Sequence, residues 1–159
     1  KEAIPKCDVV QKPFKTDELP PDESRLDNLF SQWYDKKNLD RNQKVFVDIY
    51  STIGAVGLGG LHGFWEGMAE EADTIIASFR IAGESNIADL LDQSRFIQNA
   101  ELDDEGYYSL SDRETRLLSA AEDAISDKSL MKKLSEFVGR IDSEEKSRVP
   151  PATQALKPW

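Results

Sequence analysis

The chain of 159 residues has one cysteine, Cys7, and one histidine, His62. A lone cysteine excludes an internal disulfide framework and a cysteine-rich zinc site. A lone histidine leaves no second imidazole for a His-based metal centre. Bases are in deficit, with 20 Lys and Arg against 30 Asp and Glu, for a net charge of −10. Nonspecific binding to nucleic acid or anionic membrane is driven by basic surface, so neither is an expected partner. Apolar runs are short too: the least polar stretch, 53–65, is rich in glycine and falls below the roughly 18 residues of a membrane span. The start, Lys1-Glu2-Ala3-Ile4, is not a signal peptide and lacks an initiator Met. A cytoplasmic location is the expectation, with export through a removed upstream segment as the alternative.

What remains is a globular composition, 39% apolar and 31% charged, in a chain long enough to bury about 68–70% of its unfolded surface. Prolines 5, 13, 20 and 21 make 1–22 an expected extended arm, and prolines 150, 151 and 158 make 146–159 an extended tail, with Trp159 folding back. Between them, 23–145 reads as one helical domain. Leu26, Leu29, Phe30, Trp33 and Tyr34 recur at helical spacing, as do Phe46, Ile49, Tyr50 and Ile53. Met68, Ala72, Ile75, Ile76 and Phe79 form another stripe, closed by Gly83 as a helix C′ residue. A further helix carries Ile87, Leu90, Leu91, Phe96 and Ile97. Ser111 and Glu114 form a capping box before Leu117, Leu118, Ala121 and Ile125, and Asp127 caps a last helix over Leu130, Leu134, Val138 and Ile141. The expected fold class is all-α, a single-domain orthogonal bundle of about six helices with extended Pro-rich ends.

Six glycines, at 54, 57, 59, 60, 63 and 67, crowd one 14-residue window. A phosphate loop would need Gly-Lys-Ser/Thr at its end, and Gly60-Leu61 stands there instead. A dinucleotide fingerprint fails at His62, where a third glycine belongs. Gly60-Leu61-His62-Gly63 matches a GXXG clamp but has no basic surroundings to hold RNA phosphates. The expectation is structural: a tight turn with close backbone packing, Gly59, Gly63 and Gly67 sharing one helical face. His62 and Glu66 lie four apart, which is two ligands and not a site. His62 is expected buried or half-buried with a hydrogen-bond partner. Cys7 has no nearby base to make it a nucleophile. No catalytic residue, cofactor or metal is expected.

The acids are unevenly spread. Residues 61–127 hold sixteen acids and four bases, net −12, more than the charge of the whole chain. On a continuous helix, Glu66, Glu70 and Asp73 fall within about 60° of one another at 100° per residue, away from the apolar stripe. Like charges at i, i+4 do not stabilise a helix. A solvated face that aids solubility explains such a stripe; so does a basic protein partner.

The stretch 49–65, IYSTIGAVGLGGLHGFW, resembles the hallmark of a bacterial family with a Gly-Gly-aromatic motif, in which an apolar helix leads into Asn-Gly-Gly-Phe and paired aromatics. Here Gly59, Gly60, His62, Phe64 and Trp65 carry the motif, with Leu58 and Leu61 where the family usually has Asn and Phe. Most of that family is a domain of unknown function, and its best-known type is a DNA-mimic protein. The resemblance covers about 40–142. It implies an all-α fold, a homodimer, and an acidic surface that imitates DNA to occupy a helix-turn-helix transcription regulator. Glu66, Glu70, Glu71, Asp73, Asp103, Asp104 and Glu105 are the partner-binding candidates, chosen by charge. The leading expectation is thus a non-enzymatic acidic binding protein. The alternatives are an immunity-type inhibitor of a basic toxin, a small-ligand domain of unknown role, and an enzyme working through the Gly-rich segment around His62.

Overall fold

The computed structural model describes residues 21–148, which form α1 (Pro21–Trp33), α2 (Arg41–Met68), α3 (Ala72–Ile81), α4 (Ser85–Gln93), α5 (Asp112–Ser126) and α6 (Lys128–Arg148). Short 3₁₀ turns at Ala69–Glu71 and Ser94–Asn99 follow α2 and α4. Among the described residues the only extended pairing is an isolated antiparallel bridge between Leu102 and Tyr108. The protein is an all-α helical bundle. The expected arm and tail, with Cys7 and Trp159, lie outside the described residues but for two corrections: Pro21 and Asp22 already belong to α1, since proline is tolerated in a helix's first turn, and α6 runs past the expected boundary at 145 to Arg148.

Helix starts follow side-chain chemistry. Asp40 accepts from the Gln43 amide at 2.8 Å while the Gln43 side chain accepts from Asp40 N–H, a capping box that opens α2. Ser111 and Glu114 form the expected capping box of α5. Asp127 Oδ1 takes the Ser129 N–H at 2.8 Å and opens α6; that bond holds its carboxyl below the ordinary range. Gly83, at φ +86, ends α3 as expected. The Glu84 amide donates to Phe79 C=O and the Gly83 amide to Arg80 C=O, the paired bonds of a Schellman close.

Helix α2 is the hub, packed against α1, α3, α5 and α6. Its Val45, Phe46, Ile49, Val56, Leu61, Phe64 and Trp65 are buried together with Ile75 and Phe79 of α3, Leu91 of α4, Ile125 of α5 and Val138 of α6. Burying one such side chain contributes about 1.5–3 kcal/mol. By length and composition the span Arg41–Ile81 is apolar enough to cross a membrane, and its buried residues are the centre of this core. Among the described residues one charge enters the core: Asp48, 3% exposed, is held by Lys44 Nζ at 2.5 Å and by the Ser78 hydroxyl donating at 2.6 Å. The two partners offset the desolvation of its carboxylate.

Three expectations are corrected at this level. Tyr34 is exposed, because α1 ends at Trp33 and the chain turns away from the core. Phe96 and Ile97 lie in the 3₁₀ turn after α4, not in the helix. Leu117 and Leu118 are half-buried, and Ala121 and Ile125 are the α5 residues in the core.

Tyr50 of α2 stacks near Phe30 and Phe46, with ring centres at 4.8 and 5.5 Å, and its hydroxyl donates to Asp27 Oδ1 at 3.2 Å. Burial, with Asp27 and Glu23 beside it, pushes the phenol up from 10 to about 12. The folded state therefore holds this proton more tightly than the unfolded chain. The stabilisation is complete below pH 10 and is lost as pH rises toward 12. Tyr50→Phe should flatten the fall in urea midpoint across that window, while other ionisations leave it unchanged in slope elsewhere.

Candidate functional site

The glycine window builds a bend rather than a loop. Gly60 sits at φ +63, ψ −166 inside α2, the one non-helical residue of that helix. This is a backbone region open essentially to glycine alone. Past the bend, the amide of Leu61 lacks a helical partner, and Glu122 Oε1 of α5 accepts it at 3.0 Å. A carboxylate at the N-terminal end of 61–68 also complements the helix dipole. The approach is close enough that a Cβ on Gly60 would meet Glu122 Oε1 at 2.6 Å. The expectation of close packing along a shared glycine face is corrected: Gly59 and Gly67 have nothing within 4 Å of a Cβ position, and only Gly63 lies against backbone, at 3.4 Å from Ala55 O. The bend between Gly59 and Gly63 is the reason, since it ends the single helical face they were to share.

The short helix after the bend turns Phe64 and Trp65 inward and His62 and Glu66 outward. Phe64 and Trp65 pack edge to face at 5.1 Å. Trp65 Nε1 donates to Ser94 Oγ at 2.8 Å, and that hydroxyl donates on to Leu91 C=O. His62 is not buried; 49% of its side chain is exposed. It does have the expected hydrogen-bond partner: Tyr108 Oη lies 2.5 Å from Nδ1 and 3.0 Å from Nε2. Glu66 Oε2 lies 3.4 Å from His62 Nε2.

Tyr108 reaches His62 because the acidic loop is an ordered turn. Asp103 Oδ1 accepts from the amides of Glu105 and Tyr107, and Asp103 N–H donates to Tyr107 C=O at 2.7 Å. These bonds and the Leu102–Tyr108 bridge fold Leu102 and Tyr108 over the short helix. The result is a cleft of about 400 Å³ with Trp65, Ile97 and Ala100 among its walls and His62, Glu66, Gln98, Leu102 and Tyr108 around them. Among the described residues no serine, threonine, cysteine or lysine lines it. Its polar groups can donate and accept hydrogen bonds, and Glu66 can hold positive charge. Among the described residues no group of three His, Cys, Asp or Glu is placed to hold a metal.

All seven candidate acids are exposed, but they do not form one stripe. The 3₁₀ turn at Ala69–Glu71, entered at Met68 with φ −124, interrupts the helix on which Glu66, Glu70 and Asp73 were expected to align. Glu66 faces the cleft described above. Glu71 lines a second cleft, of about 660 Å³, shared with Lys36, Lys37 and Lys44. Asp73 is ion-paired with Arg95, which also holds Asp92 at 2.7 Å and lies 5.5 Å over the Trp65 ring. The two carboxylates raise the Arg95 guanidinium further above its ordinary value. Asp103 serves the turn, and Asp104 and Glu105 stand at its tip.

These features define an all-α protein with an aromatic cleft under an acidic hairpin. No protein-family model, curated protein or solved structure matches the chain.

Gly60→Ala should destabilise the fold by about 1–3 kcal/mol from backbone strain alone, with a further loss as the Glu122 cap is displaced. Urea denaturation measures the sum. Gly59→Ala, at an open position, should match or exceed the wild type.

Proposed function

We propose that this is a non-enzymatic acidic binding protein that engages a basic protein, with a DNA-binding regulator of helix-turn-helix type as the model partner. The observation that carries the reading is the exposure of all seven candidate acids within a segment of net charge −12. Glu70, Asp104 and Glu105 have no cation beside them in any described ion pair. Exposed acids without cations contribute nothing to folding by pairing, and they are available to a basic surface. The resemblance of 49–65 to a family whose best-known type mimics DNA supports the same reading. The Asp73–Arg95 pair shifts the weight of the surface from α3 toward Glu66, Glu70 and the 101–105 hairpin.

An enzymatic alternative has one favouring observation, the contact of His62 with both Tyr108 and Glu66 in a cleft. The exposure of His62 and Glu66, 49% and 74% of their side chains, weighs against it, since groups open to water lack the desolvation that tunes a catalytic acid or base.

Retention of a basic, DNA-binding protein from the native lysate at ~50 mM salt and its loss at ~300 mM is the expected result, since exposed charges are screened over about a Debye length. Glu66→Gln, Glu70→Gln and Glu105→Gln together should abolish retention without lowering the melting temperature. Partner capture that ignores salt and all three substitutions would overturn the reading. His62→Ala should leave the fold within the small range typical of surface substitutions, about ±0.5 kcal/mol; loss of a turnover activity with the fold intact would move the assignment to an enzyme.

A further inference from the structure

We infer that the cleft between the short helix after Gly60 and the 101–109 hairpin is an anchor pocket for an arginine side chain of the partner, which makes this inference rest on the acidic-binder reading. The cleft, at about 400 Å³, falls at the small end of the range for bound small groups. Tyr108, half-buried, and Leu102, 58% exposed, form its open walls over a floor of Trp65 and Ile97, which are 3% and 5% exposed. Such walls suit the apolar stem of a long side chain. Its charge comes from Glu66, whose side chain is 74% exposed, and among the described residues no lysine or arginine lines the space. The hairpin that supplies Leu102 and Tyr108 also carries Glu101, Asp103, Asp104 and Glu105, so the potential at the mouth favours a cation.

Arginine fits this combination better than lysine. A guanidinium is planar, stacks on aromatic faces, pairs with a carboxylate through two parallel donors, and is more weakly hydrated than an ammonium. The protein already shows the chemistry internally: Arg95 lies over Trp65 while paired with Asp73 and Asp92. In the cleft the Tyr108 ring and the Glu66 carboxylate are present and the guanidinium is the complementary group. An anionic ligand would meet repulsion from Glu66 and the hairpin acids.

The test uses two fluorescein-labelled probes, nonalysine and the same peptide with one arginine at its centre, titrated at ~50 mM salt and read by anisotropy. The expected result is about fivefold tighter binding of the arginine peptide. That preference should vanish in Leu102→Ser and in Glu66→Gln, both exposed positions whose backbone pairing is unaffected. Asp123→Asn, an exposed acid of α5 away from the cleft, should weaken both peptides alike and keep the preference. Equal binding of the two peptides to the wild type would overturn the anchor and leave the acidic-binder reading standing. A preference that survives both cleft substitutions would also overturn it. Failure of both peptides to bind at all would overturn both readings.

Discussion

The bend at Gly60 and the carboxylate that caps it form the constraint on which the functional half of the molecule depends. A straight α2 would carry His62, Phe64, Trp65 and Glu66 away from α5 along the line of 41–59. Instead φ +63 at Gly60 redirects the chain, and Glu122 holds the redirected end by its first free amide, Leu61 N–H. The bond joins residues 61 positions apart, so the bend and the α2–α5 packing stand or fall together. Phe64 then fills the core, Trp65 reaches Ser94, and His62 is left at the surface to meet Tyr108.

A second constraint shapes the acidic surface. A net charge of −12 over 61–127 repels itself, and the fold deals with part of it locally. Asp73 and Asp92 share Arg95, Arg80 pairs with Asp89, and Glu84 takes Lys133 from α6. Glu122 and Asp103 are spent on backbone amides. Glu70 of the 3₁₀ turn and Asp104 and Glu105 of the hairpin are among the acids left with no cation in any described ion pair. The proposed binding surface is therefore a remainder, the charge left after the fold has used what it needs.

Much of the fold was legible residue by residue. Helical spacing of Leu26, Phe46, Ile75, Phe79, Leu91, Ile125 and Val138 marked core positions because a 3.6-residue period leaves little choice of face. Ser111 with Glu114, Asp127 and Gly83 marked helix ends because capping is a local matter of a few hydrogen bonds. The D-x-x-Q signal at Asp40 and Gln43 was available in the same way and went unread. The candidate site was less legible. The glycine window pointed to a bend but not to which glycine bends, and the partner that decides it, Glu122, is a single acid among thirty. Asp48 gave no signal either, since its burial depends on Ser78 and Lys44 converging on it.

By itself the sequence determined the all-α class, the helix ends and the excess of acid in the middle of the chain. Those properties follow from period, local capping and composition, which act over a few residues or over none. Tertiary structure alone decided that Gly60 is the bend, that Asp73 is neutralised, and that His62, Glu66, Leu102 and Tyr108 share one cleft. Each of those depends on groups far apart in the chain meeting in space, at Glu122, at Arg95 and across the hairpin, and no local pattern encodes which distant carboxylate or ring will arrive.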